Sequence, residues 1–353
     1  MQVIFKNAQL FDIETGQFDY VDILTDDDKV ARVGKVGSLS ANCEVVDLHG
    51  DIVMPNFVNA FCSSKRAFEM DYGEFDQSDI KLCKDIENLM TIKNLLAGAI
   101  CNDVSANEKE FVLENVDNLE ENELSAISEK VAKDKLRLFV KAGQDLNELG
   151  MVDKLYKKPM VQVLEDFGFL DRKPIFVGGN CLEKDDLESL SNYDCDFCLT
   201  VGEDGKNGRR PTNLLSLKSF DFNVGLGSGY SFEIDFFAFM RQILMSQRGL
   251  FEDKNCISEK EVLSMACNAG AKMLFGEENP IKEGKKANFM VIKNAKSLYD
   301  DIFKTLVWEK SKRDVVMTVL NGKILQKNGQ ILMKNCGDYD TIIMDIQEKL
   351  RRK

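Results

Sequence analysis

Between residues 83 and 227 the chain repeats one rhythm, a helical apolar stretch followed by a short strand-like run, and few folds accommodate that rhythm. Helical spacing at Ile86, Leu89, Met90 and Leu96 leads into Gly98–Asp103. Further buried-strand candidates follow at Leu136–Ala142, Pro174–Val177, Asp196–Val201 and Asn223–Gly227, with helical stretches at Met151–Phe167 and Asp185–Ser191 between them. Strands joined by helices pair in parallel, because each helix carries the chain back to the starting edge of the sheet. An α/β fold with a parallel sheet or barrel is therefore expected.

The two ends read differently. Residues 1–57 hold short alternating segments such as Gln2–Lys6 and Val21–Leu24, punctuated by Asp, Gly and Thr. Ser258 and Glu261 form a capping box that opens a helix running through Leu274, since each can satisfy the other's end amide. After Gly284 short strands return at Phe289–Ile292 and Val315–Leu320, with a turn at Asn321–Gly322. Residues 1–57 and 285–353 are thus expected to form a small composite β-sandwich, with residues 58–284 inserted between them as a (β/α) barrel.

Composition narrows the function classes. The formal charge is −13, from 46 basic and 59 acidic residues, which argues against a phosphate-backbone partner. Brief basic clusters at 206–210, 282–286 and 351–353 lie within acidic sequence and read as solvated surface. The first residues lack the pattern of a secretory signal, and no apolar stretch is long enough to span a bilayer. Ten cysteines scattered through 353 residues suit reduced thiols in a cytoplasmic protein better than a disulfide framework.

Several stretches occur in a telling order: Val46–Leu48 leading to Ile52–Pro55, Phe57–Ala60, Val224–Ser228, and Ala269–Leu274 before Lys282–Asn288. Together they resemble the amidohydrolase superfamily, in its branch of cytosine-deaminase, guanine-deaminase and triazine-chlorohydrolase-like proteins. The resemblance implies a (β/α)8-type TIM barrel in which histidine-held zinc or iron turns water into a nucleophile. The implied positions hold other residues. The His-x-His pair falls on Phe61 and Ser63, a third histidine near Val140 and a proton-transfer glutamate near Gly143. A fourth histidine falls on Gly178, and the last aspartate on Gly229. The single histidine of the chain, His49, sits in a turn of the first β-unit. The interval from Asp103 to Leu136 is too short for the two strand–helix units that the family has there, so the barrel is expected to be shortened or distorted.

Loss of every ligand position and of the glutamate would remove both the Lewis acid and the proton shuttle. The leading expectation is accordingly a catalytically degenerate hydrolase homologue without zinc or iron, binding a small polar or heterocyclic ligand or a partner. The alternative is an active hydrolase or deaminase on a non-peptide carbon–nitrogen bond, using a rebuilt site. A bare interaction module is a third reading. Candidate pocket residues are Ser63, Lys65, Arg66 and Asp103 at the first strand ends, with Arg209 and Arg210 in the segment 202–211. That segment lacks the Gly-Lys-Ser/Thr ending of a phosphate loop and reads as a surface loop. Lysines become metal-bridging carbamates in some members of the superfamily, but Lys141 without histidines is expected to face the surface or a helix. Cys195 and Cys198 have half the spacing of a thiolate zinc site, yet a strand would place them on opposite faces, as buried thiols. A helix over Phe232–Met245 with more than one apolar face, together with the family's habit, suggests a homodimer.

Overall fold

A computed structural model describes residues 1–37, 42–333 and 339–351; residues 38–41, 334–338, 352 and 353 of the two chain ends lie outside that description. The first strands are β1 (Gln2–Phe11), β2 (Phe18–Asp26), β3 (Lys29–Gly34), β4 (Glu44–Asp47) and β5 (Ile52–Met54). The strands β6 (Phe57–Cys62), β7 (Ala99–Asp103), β8 (Glu110–Glu114) and β9 (Arg137–Lys141) come next. They are followed by β10 (Ile175–Val177), β11 (Asp196–Leu199) and β12 (Asn223–Leu226). The chain closes with β13 (Phe289–Ile292), β14 (Val315–Leu320), β15 (Lys323–Lys327) and β16 (Gln330–Ile331).

Both ends share one nine-stranded sheet, ordered β16-β15-β14-β13-β5-β1-β2-β3, with β4 beside β1. The joint is the antiparallel ladder between β5 and β13, where Val53 faces Val291. Alternation along these strands sends side chains two ways. Val53, Phe289, Val291 and Phe5 build a core of their own, with Phe5 and Phe289 edge to face at 5.0 Å. Met54, Met290 and Ile292 point oppositely, into the larger core around the barrel. Asn321 and Gly322 carry φ of 48° and 71°, the left-handed pair that a two-residue hairpin requires.

Strands β8 to β12 run parallel in chain order, and β6 pairs with β7. Beyond β12 the chain returns to β6: Gly229 N donates to Phe61 O at 3.0 Å and Ser63 N to Gly229 O at 3.3 Å. No ladder joins β7 to β8 among the described residues; there Asn102 Nδ2 donates to the Glu110 carboxylate at 3.0 Å. The short interval after Asp103 holds β8 and the helix Glu121–Asp134, one strand–helix unit rather than two.

Three local expectations change. The stretch 151–167 breaks into helices Leu146–Tyr156 and Met160–Asp166, since Pro159 has no amide to continue a helix. Only the second half of the segment 202–211 is a surface loop: it opens as a helix, Val201–Lys206, with Glu203 and Asp204 buried, and residues 207–211 follow as a largely exposed turn and loop. Gly202 serves close packing, because a Cβ there would lie 2.7 Å from the Phe239 ring. The helix Phe236–Phe251, capped by Asp235, buries Phe236, Phe237, Met240 and Leu244 in the chain's own core. Phe236 stacks on Phe57 at 5.2 Å, so most of the apolar residues that suggested a subunit interface are covered internally, while Met245 stays 59% exposed. A final helix, Tyr339–Arg351, packs on the helix Ile80–Leu96 through Ile342 and Ile346, with ion pairs from Lys81 to Asp345 and from Lys349 to Asp79. Among the described residues no helix is long and apolar enough to cross a membrane.

Candidate functional site

Strand parity decides which side chains reach the inside of the barrel. On β9, Leu138 and Val140 pack outward under the helices, while Phe139 and Lys141 turn inward. The inward position at this strand end is therefore Lys141, one residue beyond Val140, where the sequence reading had placed it. Nor does Lys141 face the surface: it is only 6% exposed. Phe61 also points inward and fills space, its ring 5.3 Å from that of Phe139 and 5.7 Å from that of Tyr230.

Lys141 Nζ donates to Glu203 Oε1 at 2.7 Å and lies 4.0 Å from the centre of the Tyr230 ring. Glu203 comes from the helix after β11, at the strand ends where barrels of this kind keep their chemistry. Its carboxylate also accepts from Arg209 Nη1 at 3.0 Å and from the Tyr230 amide at 2.9 Å. Burial opposes its ionisation, but Lys141, the Tyr230 amide and Arg209 outweigh burial and hold its carboxyl below the usual range. Burial pulls Lys141 down from the ordinary lysine value, against the attraction of Glu203. Burial, and then Glu114, push the Tyr230 phenol up; its hydroxyl donates to Glu114 at 2.8 Å, and Glu114 pairs with Arg66 at 2.6 Å.

The glycines at the implied family positions are occupied in another sense. Gly229 has φ of 66°, and a Cβ built there would lie 2.0 Å from Glu203 Oε2. The Glu203 carboxylate thus fills the space a side chain at residue 229 would need. Gly178, with φ of 87°, is flanked in the same way by Asn180 Oδ1 at 2.8 Å and Gln144 Nε2 at 2.9 Å. At Gly143 a Cβ would meet Leu182 at 2.7 Å.

A cavity of about 880 Å³ opens above the Lys141–Glu203 pair, lined among others by Arg66, Glu114, Gln144, Glu148, Arg209 and Tyr230. Of the six residues proposed from sequence, Arg66 and Arg209 reach it. Ser63 instead caps the helix Ser64–Tyr72, accepting from Arg66 N at 3.3 Å. Asp103 accepts from Ser64 N and from the Ser105 hydroxyl, which makes it a turn-former. Lys65 turns toward Glu87 at 4.0 Å, and Arg210 binds Asn180 O and Glu183. Neither lines the cavity. Cys198 on β11 and Cys195 just before that strand fall in different clusters; burial pushes the Cys195 thiol up to about 12 and Cys198 higher. His49 is exposed in its turn, 3.4 Å from Asp47.

Sequence reasoning missed Glu148, Tyr230 and Glu203. Glu148 Oε2 accepts from Gln144 N at 2.9 Å at the start of the helix Leu146–Tyr156. Burial, helped by Asp145 and Asp117, raises its carboxyl from 4.5 to about 7. The folded state therefore keeps this proton longer than the unfolded chain does, so stability falls as pH rises from about 4.5 to 7, by up to ~3 kcal/mol. Glu148→Gln is expected to flatten that fall, which urea midpoints at pH 5 and 8 would measure. Equal falls in variant and wild type would mean that Glu148 titrates as an ordinary glutamate.

The amidohydrolase family model matches residues 57–325. A curated methylthioadenosine/adenosylhomocysteine deaminase from Thermococcus kodakarensis is 27% identical over 203 residues, 56% of this chain and 48% of its own length. Its counterpart from Bacillus cytotoxicus is 25% identical over 191 residues, 52% of this chain and 44% of its own. The chain thus spans about half the length of these relatives. An adenosine deaminase from Xanthomonas campestris with bound zinc superposes with a TM-score of 0.83 at 11% identity, covering 99% of both chains. Atrazine chlorohydrolase from Arthrobacter aurescens complexed with zinc gives 0.78 at 14% identity, covering 99% of this chain and all of that one. At such identities these structures show the fold, the amidohydrolase barrel.

Two expectations are corrected by these findings. Relatives named as deaminases, and neighbours that are zinc hydrolases, point to an active enzyme rather than a catalytically degenerate homologue. The expected absence of zinc or iron conflicts with the zinc in those neighbours and is withdrawn with it. The side chains of this chain still differ from a histidine-lined ion site. Phe61, Ser63, Lys141, Gly178 and Gly229 stand near the implied positions, and among the described residues no three His, Cys, Asp or Glu side chains are grouped to hold an ion. The family's zinc therefore does not fit the donors described, and the roles open to these side chains are acid–base and electrostatic.

Proposed function

Because the chain belongs to the amidohydrolase family, we propose that it is an active hydrolase or deaminase acting on a non-peptide carbon–nitrogen bond of a small, nucleoside-like heterocycle. Its site is rebuilt around Lys141, Glu203 and Glu148. The observation that carries this reading is the buried Lys141–Glu203 pair at the floor of a polar cavity, at the strand ends where the fold keeps its chemistry. Lys141, kept in place by Glu203, is a cation shielded from water. Such a group stabilises charge developing on a ring more strongly than it could in solvent.

Removing an amino group by hydrolysis consumes one water and releases ammonia, so a proton must leave the water and reach the departing nitrogen. A carboxyl held near 7, as Glu148 is, can accept and return that proton at neutral pH. Glu203 serves as a positioning residue, fixed in turn by Arg209 and the Tyr230 amide. The relatives' names supply the substrate class.

The test is ammonia release from methylthioadenosine, S-adenosylhomocysteine and adenosine, assayed with and without added zinc. Turnover of at least one is expected, reduced ~100-fold in Glu148→Gln and in Lys141→Met with the circular dichroism spectrum retained. No release above the spontaneous rate from any of them would overturn the proposal.

A further inference from the structure

The charges around the cavity do not balance. Its wall carries seven carboxylates and three cations. Each cation is already engaged within the wall: Arg66 with Glu69 and Glu114, Lys141 and Arg209 with Glu203. Asp117, Asp145 and Glu148 have no ion-pair partner among the described residues. A ligand's anionic group would find no unpaired cation here, and it would meet three carboxylates instead.

A second observation concerns hydrogen bonds. Behind the wall, Asn180 Oδ1 is a buried acceptor that no hydrogen-bond donor among the described residues satisfies, and Asp204 Oδ1 has only Arg209 Nη1, at 3.5 Å. Asn180 Oδ1 flanks Gly178 opposite the wall residue Gln144. Acceptors thus outnumber donors on this side of the site, and leaving buried acceptors unpaired costs stability. The rim differs again in character. Met70, Phe75 and Met151 line it, and Met70 and Met151 are 57% and 46% exposed. Thioether and aromatic side chains suit the faces of a planar ring.

We propose that the cavity selects a cation: a planar ring bearing an amidinium or guanidinium group, held by Asp117, Asp145 and Glu148 beneath the apolar rim, with phosphate-bearing or carboxylate-bearing rings excluded. The inference rests on the enzymatic reading above for the reaction that follows binding, but not for the binding itself. It refines that reading, placing heterocycles whose amino carbon belongs to a charged amidine ahead of neutral nucleosides and of nucleotides.

Benzamidine and benzoate separate the possibilities, being nearly equal in shape and opposite in charge. Calorimetric titration of the full chain is expected to show benzamidine binding at least tenfold more tightly than benzoate. Its affinity should weaken as salt rises and fall about fivefold in Asp117→Asn. Benzoate binding as tightly as benzamidine, no benzamidine binding, or indifference to Asp117→Asn would each overturn the inference. Benzamidine binding without ammonia release in the preceding assay would sink the enzymatic reading alone. Ammonia release with no preference between the two probes would sink the inference alone.

Discussion

Glu203→Ala is expected to lower the unfolding free energy by ~3–5 kcal/mol at neutral pH, because it leaves the Lys141 ammonium buried without its carboxylate. The ring of Tyr230 would remain as the nearest compensation. Lys141 can relieve the deficit by losing its proton, and the sign follows from that. In the variant the folded lysine would hold its proton less tightly than the unfolded chain does, so stability should recover as pH rises toward the ordinary lysine range. A second variant isolates the charge from the packing. Glu203→Leu combined with Lys141→Met removes both ions, and most of the loss should return, since buried pairs are commonly replaceable by apolar groups of similar size. Denaturant midpoints at unchanged slope give the comparison. A double variant as unstable as Glu203→Ala would show that the pair's packing, not its uncompensated charge, sets the cost.

Gly229→Asp should be comparably damaging, at ~3 kcal/mol or more, for two separable reasons. The residue holds a left-handed backbone, and its new Cβ would fall 2.0 Å from the Glu203 carboxylate. The first cost is small for aspartate, which tolerates that backbone better than most residues. The second should vanish when Glu203 is shortened. Gly229→Asp with Glu203→Ala is therefore expected to be at least ~1–2 kcal/mol more stable than the sum of the single losses. Strict additivity would place the Glu203 side chain elsewhere in solution.

How far the sequence could be read depended on whether a feature is local. The helix–strand rhythm around Ile86, Phe139 and Val224 announced the barrel because period and length are local properties. The Asn321–Gly322 turn and the Ser258–Glu261 cap were equally legible, each set by a few bonds between near neighbours. Strand β8 was missed because Glu110–Glu114 holds only three apolar residues between two acids, too short a run to show a period, and its burial comes from Arg137 and its neighbours on β9. The site was harder for a related reason. Parity assigns Lys141 rather than Val140 to the interior only once the strand's start at Arg137 is known. Glu203 and Asp204 lie between two glycines, which in isolation look like a mobile loop. A pair of acids directly after the strand ending at Leu199 was the available signal, since that is the end of a barrel where function gathers. The three-dimensional closeness of Glu203 to Gly229 has no signature in the chain at all.

The ladder between β5 and β13 has a consequence in time. Val53 leaves the ribosome long before Val291, and the whole run of helices and parallel strands is made between them. Until Phe289–Ile292 emerges, β5 has no partner on that side, and Met54 has no Met290 beside it over the barrel. The nine-stranded sheet can therefore be completed only after the barrel segment has been synthesised. A nascent chain halted before β13 would present β5 as a bare apolar edge, the kind of surface that recruits chaperones or pairs with a neighbouring chain.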